Sequence, residues 1–480
     1  MKLIFEKSVP GRGTTIFDPP SQAVQPLPDS LTRSDPPALP EVSELEVIRH
    51  FTGLSRRNFG VDSHFYPLGS CTMKYNPRID ELTASLPGFT GLHPHWATIP
   101  AARALCQGAL AVIWELERFL AEIGGMKAGC LQPMAGAHGE LAGVLMIAAY
   151  HRTRGNHGKK VMLVPDSAHG TNPASAAMAG FSVRTVPSAP NGEIDFEAFR
   201  AALDETVAGV MLTCPNTHGL FERRVAEIAR LAHEQDALLY YDGANLNAIL
   251  GKVRPGDLGF DVMHFNLHKT FSTPHGMGGP GSGAVAVGER LEPFLPGPRI
   301  IRGENGDFDL MTPEHSIGAI APFFGSFLVG LRAWTYIRAH GRDGLPKVAE
   351  AAVLNANYVL ARLKDHFRAP FGDRCMHECV LDATRQVAAG QVKALDIAKA
   401  LLDRGFHAPT VYFPLTVPEC LMIEPTETES RETLDAFCDA MIEIARLAEA
   451  DPEALKQAPA SMPVGRLDEV KAARELNCSC

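Results

Sequence analysis

The chain has 480 residues, 45% of them hydrophobic and 21% charged, a globular composition long enough for two or three domains and able to fold without disulfides or a metal. Its 45 basic and 55 acidic residues leave a formal charge of -10, which argues against a nucleic-acid partner because phosphate contacts call for a basic excess. The longest apolar stretch, 317–331, contains Pro322, Gly325 and Gly330 and stops at Arg332, too short and too broken for a membrane span; Glu6 and Lys7 interrupt any signal-peptide core, so the expected location is the cytoplasm.

In chain order, residues 1–100 read as an extended arm with one short helix. The prolines between Pro19 and Pro40 favour extended chain, and Val42, Leu45, Ile48 and Phe51 recur at three-residue steps, predicting a helix at 41–54. The turn-rich stretch 65–77, FYPLGSCTMKYNP, carries Phe65, Tyr66 and Met73, so it reads either as a connecting loop or as an arm wrapping another subunit.

Residues 101–330 alternate helical patterns (102–123, 139–152, 196–205, 222–236) with continuously apolar runs at 161–165, 207–214, 237–242 and 262–266. That alternation predicts an α/β domain whose mostly parallel sheet is buried on both faces. Residues 331–480 begin with helices at 331–340 and 346–366. A smaller α+β C-terminal domain follows, with strands at 375–381, 410–413 and 420–423 and helices at 391–404 and 430–449. The ten cysteines include no C-x-x-C pair, so no metal site is expected, and Cys478-Ser479-Cys480 reads as a frayed tail.

Chemistry concentrates in residues 265–283, FNLHKTFSTPHGMGGPGSG. Lys269 follows an apolar strand and precedes a loop with Gly276, Gly278, Gly279, Gly281 and Gly283. It is either a surface lysine at a loop start or a desolvated Schiff-base lysine, with the glycines admitting a flat cofactor. The G-x-G-x-x-G match at 276–281 is not a dinucleotide fingerprint, because Pro280 and the strand-like 284–287 replace the required helix. Asp242 closes the run 237–242 at a strand's carboxyl end, where α/β sheets bind ligands. It either caps the next turn or pairs with the protonated nitrogen of a pyridoxal phosphate ring, and a lysine and an acid on successive strand ends favour the second.

Gly136 and Ala137 open an apolar helix whose free N–H groups suit a phosphate, with His138 adding a backbone N–H or its ring. The rival reading is small-residue packing between helix and strand. His169, after the strand 161–165, either stacks on a cofactor ring or is structural.

The segments RRNFGVDSHFYPLGSCTMKYNP (56–77), AGAHGE (135–140), SAHGTNPAS (167–175), DGAN (242–245), NLHKTF (266–271) and LMIEPTETES (421–430) resemble the P-protein of the glycine cleavage system, glycine dehydrogenase (decarboxylating). The likeness is to the C-terminal, lysine-bearing half, which in many bacteria is a separate subunit 2. The resemblance implies a fold-type I, aspartate aminotransferase-like enzyme using pyridoxal 5'-phosphate. It implies that Lys269 carries the Schiff base, Asp242 holds the pyridinium and His169 stacks on the ring. Gly136, Ala137 and His138 would then cradle the phosphate, with Thr270 adding a hydroxyl, and the stretch Ser70-Cys71-Thr72-Met73-Lys74 would reach the mouth of the pocket. It further implies decarboxylation of glycine with transfer of the aminomethyl group to the lipoylated H-protein, and a separately encoded subunit 1 in a two-plus-two heterotetramer. The rivals are another pyridoxal-phosphate decarboxylase, which would release a free amine, and a non-catalytic scaffold subunit.

Overall fold

A computed structural model describes residues 2–13, 25–35, 37–275 and 281–476. It divides into two compact units, Met1–Gly60 and Val61–Cys480. Pro19, Pro20, Pro36, the loop glycines Gly276, Gly278 and Gly279, and the terminal Cys-Ser-Cys lie outside the described residues.

In the first unit, α1 (Glu44–Ser55) begins later than its apolar spacing predicts. Ser43 and Glu46 form a capping box, each side chain accepting the other's backbone N–H. Glu41 stays outside the helix, its carbonyl and carboxylate taking the N–H groups of Val9 and Gly11.

In the second unit a seven-stranded sheet is formed by β1 (Ala128–Cys130), β2 (Val161–Pro165), β3 (Ser182–Val186), β4 (Val207–Thr213), β5 (Leu238–Asp242), β6 (Val262–Asn266) and β7 (Gly283–Val287). The order is β1-β7-β6-β5-β4-β2-β3, and every pairing is parallel except those of β7 with β1 and β6. Every residue of β4, β5 and β6 is buried, which is why their sequences lack a two-residue alternation. The helices of this unit include α2 (Gln107–Gly124), α3 (Gly136–Thr153), α4 (Thr171–Met178), α5 (Val225–Glu234) and α6 (Phe327–Leu363). A hairpin, β8 (Arg299–Arg302) with β9 (Phe308–Met311), precedes α6.

The predicted helices at 331–340 and 346–366 are two stretches of α6, broken at Gly341, which takes φ 62° and ψ -174°. Beyond it lies an antiparallel sheet of β10 (Cys379–Asp382), β11 (Thr410–Val411) and β12 (Cys420–Ile423), covered by α7 (Ala394–Leu402) and α8 (Arg431–Ala450). These elements share a core that includes Phe367, Leu381, Ile397, Phe437 and Met441. The strand predicted from 375 starts only at Cys379, because the Cys375 and Met376 N–H groups bond to Asn357 and Gly219 instead of a ladder. The strand predicted to 413 stops at Val411, where Tyr412 turns left-handed (φ 59°).

The stretch 65–77 packs on its own chain. Phe65 is buried edge-on against Phe437 and Phe406, and Leu68 bridges to Ile423. Among the described residues no helix is long and apolar enough to cross a membrane.

Candidate active site

The carboxyl ends of β2, β4, β5 and β6 lie along one edge of the sheet, and the chain leaving them frames a cavity of about 190 Å3. Lys269, Asp242, His169, Gly136 and Ala137 all line it. The two remaining expected residues do not. His138 sits half-buried one position further along α3, its Nδ1 accepting the Met134 N–H. Thr270 is buried, and its carbonyl accepts from the Lys74 ammonium at 2.8 Å.

Lys269 stands three residues beyond β6, in a turn whose N–H returns to the Asn266 carbonyl. Its Nζ donates to the Ser70 carbonyl at 2.7 Å. Asp242 is almost fully buried. Oδ2 accepts from Asn172 Nδ2 at 3.0 Å and Thr213 Oγ1 at 3.3 Å, Oδ1 accepts the Ala244 N–H at 3.0 Å, and His264 Nε2 lies 3.5 Å from Oδ1. Burial alone would raise its proton affinity. His264, the Ala244 N–H, Asn172 and Lys269 outweigh burial and hold the carboxyl below its ordinary range. Asp242 therefore caps the following turn and presents a carboxylate to the cavity at once.

Gly136 begins α3 against β6. A Cβ there would come within 2.0 Å of Asn266 Oδ1, an atom left without a hydrogen-bond partner. The absent side chain leaves the first N–H groups of an 18-residue helix open to the cavity, a position that favours an anion. His169 Nδ1 is 2.8 Å from Thr171 Oγ1, and its ring meets Phe413 edge-on at 6.0 Å. Burial, and secondarily Lys269, lower the ring's proton affinity against the pull of Asp242.

The aminotransferase class-V family matches residues 139–304, and the glycine dehydrogenase C-terminal domain family matches residues 348–460. A relative from Thioalkalivibrio sulfidiphilus, named probable glycine dehydrogenase (decarboxylating) subunit 2, is 55% identical over 99% of this chain and 96% of its own length. One of the same name from Bacillus licheniformis is 53% identical over 98% and 97%. The chain belongs to the glycine dehydrogenase (decarboxylating) subunit 2 family.

The fold of this subunit 2 family member also matches solved structures. An inhibitor-bound glycine decarboxylase P-protein superposes with TM-score 0.69 over 89% of this chain and 92% of that one, at 22% identity. A cysteine desulfurase from Thermococcus onnurineus gives 0.61 over 80% and 95%, at 14% identity. Both establish a shared fold.

Several cavity residues of this family member escape a linear reading. Glu140, Thr171, Thr213 and Asn266 join the wall from four separate segments, whereas Ser70 stands in the stretch 70–74 that the resemblance places at the pocket mouth. Only Glu140 left a signal, standing four residues after Gly136 and hence on the same helical face.

Behind Ser70 the strap 70–74 is gripped by acids from the C-terminal elements. Glu378 accepts the Ser70 N–H at 2.7 Å, and Glu424 accepts the Thr72 N–H at 2.8 Å and the Thr72 hydroxyl at 2.5 Å. Lys74 is buried and bonded to Glu427, Asn247, Tyr336 and the Thr270 carbonyl. Ser70 and Thr72 both sit in the left-handed region, at φ 63° and 50°, a strained setting for non-glycine residues that these bonds sustain. His377 completes a fully buried group with Glu378 and Glu424, its Nε2 3.9 and 3.8 Å from their oxygens.

Proposed function

We propose that this chain decarboxylates glycine with pyridoxal 5'-phosphate and passes the aminomethyl group to the lipoyl arm of the H-protein, releasing CO2. It works in the cytoplasm with a separately encoded subunit 1, as a two-plus-two heterotetramer. The carrying observation is the convergence of the Lys269 amine, the Asp242 carboxylate and the open start of α3 on one cavity. Family membership supports the same reading.

These residues fit the cofactor. Lys269 offers an amine for its aldehyde, Asp242 a buried anion for its ring nitrogen, and the helix start at Gly136 and Ala137 a cradle for its phosphate. When bound, the cofactor supplies an electron sink for the bond that breaks between the α-carbon of glycine and its carboxylate.

The protein's part is electrostatic and positional. Asp242, kept ionised by His264, the Ala244 N–H and Asn172, opposes the charge of a protonated ring nitrogen and so holds that proton in place. Lys269 would hold the aldehyde through its Nζ, which the Ser70 carbonyl orients by accepting from it at 2.7 Å. His169, which lines the same cavity, would lie against the ring.

The test is exchange of bicarbonate carbon into glycine by the chain co-purified with its subunit 1, with and without lipoylated carrier. Exchange that requires the carrier is expected. Release of free methylamine without it would overturn the reading in favour of a simple decarboxylase.

A further inference from the structure

Glu140 lines the cavity from the first turns of α3, yet none of the roles above uses it. Its buried carboxyl lies between two hydroxyls of the neighbouring helix α4. Thr171 Oγ1 is 2.9 Å from Oε1, and Ser175 Oγ is 3.4 Å from Oε2. The same Thr171 hydroxyl is 2.8 Å from His169 Nδ1. One hydroxyl, owning one hydrogen, therefore joins a carboxyl group to an imidazole.

That stoichiometry links the two ends. If Glu140 is ionised, Thr171 spends its hydrogen on the carboxylate and can only accept from the ring, which then carries its proton on Nδ1. If Glu140 is protonated, the acid donates to Thr171, the hydroxyl donates to Nδ1, and the neutral ring carries its proton on Nε2. The Thr171 backbone N–H, which can only donate, also points at Nδ1 from 3.4 Å. That contact favours a bare Nδ1.

The electrostatic setting agrees. Burial, and secondarily the charge of Asp242, push the Glu140 carboxyl up to about 8 against the opposing pull of Thr171, Ser175 and Lys269. The titratable groups facing it are Asp242 and Tyr240 from β5, Lys269 from the loop after β6 and His169 before α4, while His264 of β6 packs against the same helix at Gly139.

We propose that Glu140, acting through the Thr171 hydroxyl, is a positioning residue that keeps the ring proton of His169 on Nε2. The ring then offers an N–H donor, rather than a lone pair, to the acceptor oxygens of cofactor or substrate. This rests on the cavity being the cofactor site, and it makes the tautomer of His169 sensitive to pH. Neutral Glu140 holds the Nε2 proton below about pH 8, and ionisation above that point transfers it to Nδ1.

The test reads the tautomer directly, from ring 15N shifts of histidine-labelled full-length protein between pH 6 and 9.5, with the His169→Gln difference assigning the signal. Spectra of both cofactor-loaded and cofactor-free protein are needed. The parent should show Nε2–H at pH 7 and a shift toward Nδ1–H above pH 8. Glu140→Gln, neutral throughout and able to donate through its amide, should keep Nε2–H at pH 9.5. Thr171→Val should lose the coupling and Thr171→Ser restore it. A ring proton on Nδ1 at pH 7 overturns the proposal, as does a pH course unchanged by Glu140→Gln or Thr171→Val. Failure to take up pyridoxal phosphate would instead strike the cofactor reading, while the cofactor-free spectra still decide the tautomer.

Discussion

Asp242 carries two duties whose requirements differ. Capping the Ala244 N–H needs only a hydrogen-bond acceptor, which an asparagine carbonyl supplies, whereas holding a proton on a cofactor ring needs a full negative charge. Asp242→Asn should therefore fold and bind cofactor, while kcat falls by roughly 100-fold or more, about 2.7 kcal/mol of barrier. Steady-state exchange kinetics beside a thermal melt separate the two duties. A kcat within threefold of the parent would reduce Asp242 to a turn cap. Its place in the cavity wall was legible in the sequence because the acid ends an unbroken apolar run, which marks the carboxyl end of a buried strand. The partners that keep it ionised were not, since Asn172, Thr213 and His264 come from three other elements and meet it only in the folded sheet.

At the scale of elements, the strap 70–74 was expected at the mouth of the pocket, but the groups that hold it there were not visible in the sequence. Its acidic partners lie 308 and 352 residues away along the chain, so no local spacing could connect them. The strap holds the Ser70 carbonyl at the Lys269 amine and ties the loop beyond Lys269 to the C-terminal elements through Lys74. Thr72→Val keeps the side-chain shape but removes the hydroxyl from a buried carboxylate. It should cost about 1.5–3 kcal/mol, the usual range for a hydrogen bond to a charged group, measured by urea unfolding. Cofactor affinity should fall with it. Unchanged stability and affinity would mean that the strap is held by its other contacts. Sheet strands were easier to anticipate where burial is complete, as in β4 to β6. The edge strand β3 (SVRTV) and the three-residue β1 carry too little apolar signal to stand out.

At the scale of the whole molecule, the second unit leaves apolar side chains uncovered ahead of α2. Trp96, Ile99 and Leu105 are each more than half exposed, at 54%, 53% and 70%. Membership of a subunit 2 family makes a partner subunit the natural cover for such groups. The double substitution Trp96→Asp with Leu105→Asp should weaken co-purification with subunit 1 at least tenfold while leaving visible absorbance from bound cofactor in place. Undiminished association would assign the partner surface elsewhere. The stretch 65–77 shows how far sequence carries here. Its large apolar groups left a connecting loop and a wrapping arm both open, and of these groups Phe65 is buried against its own chain, with Leu68 bridging to Ile423.

The most direct measurement is borohydride reduction of the pyridoxal-phosphate-loaded protein with its partner, followed by peptide mass mapping. The expected result is a single pyridoxyl-phosphate adduct on the peptide containing Lys269, absent from Lys269→Ala together with all exchange activity. An adduct on another lysine, or a Lys269→Ala protein that still exchanges bicarbonate into glycine, would contradict the assignment of this cavity as the catalytic centre.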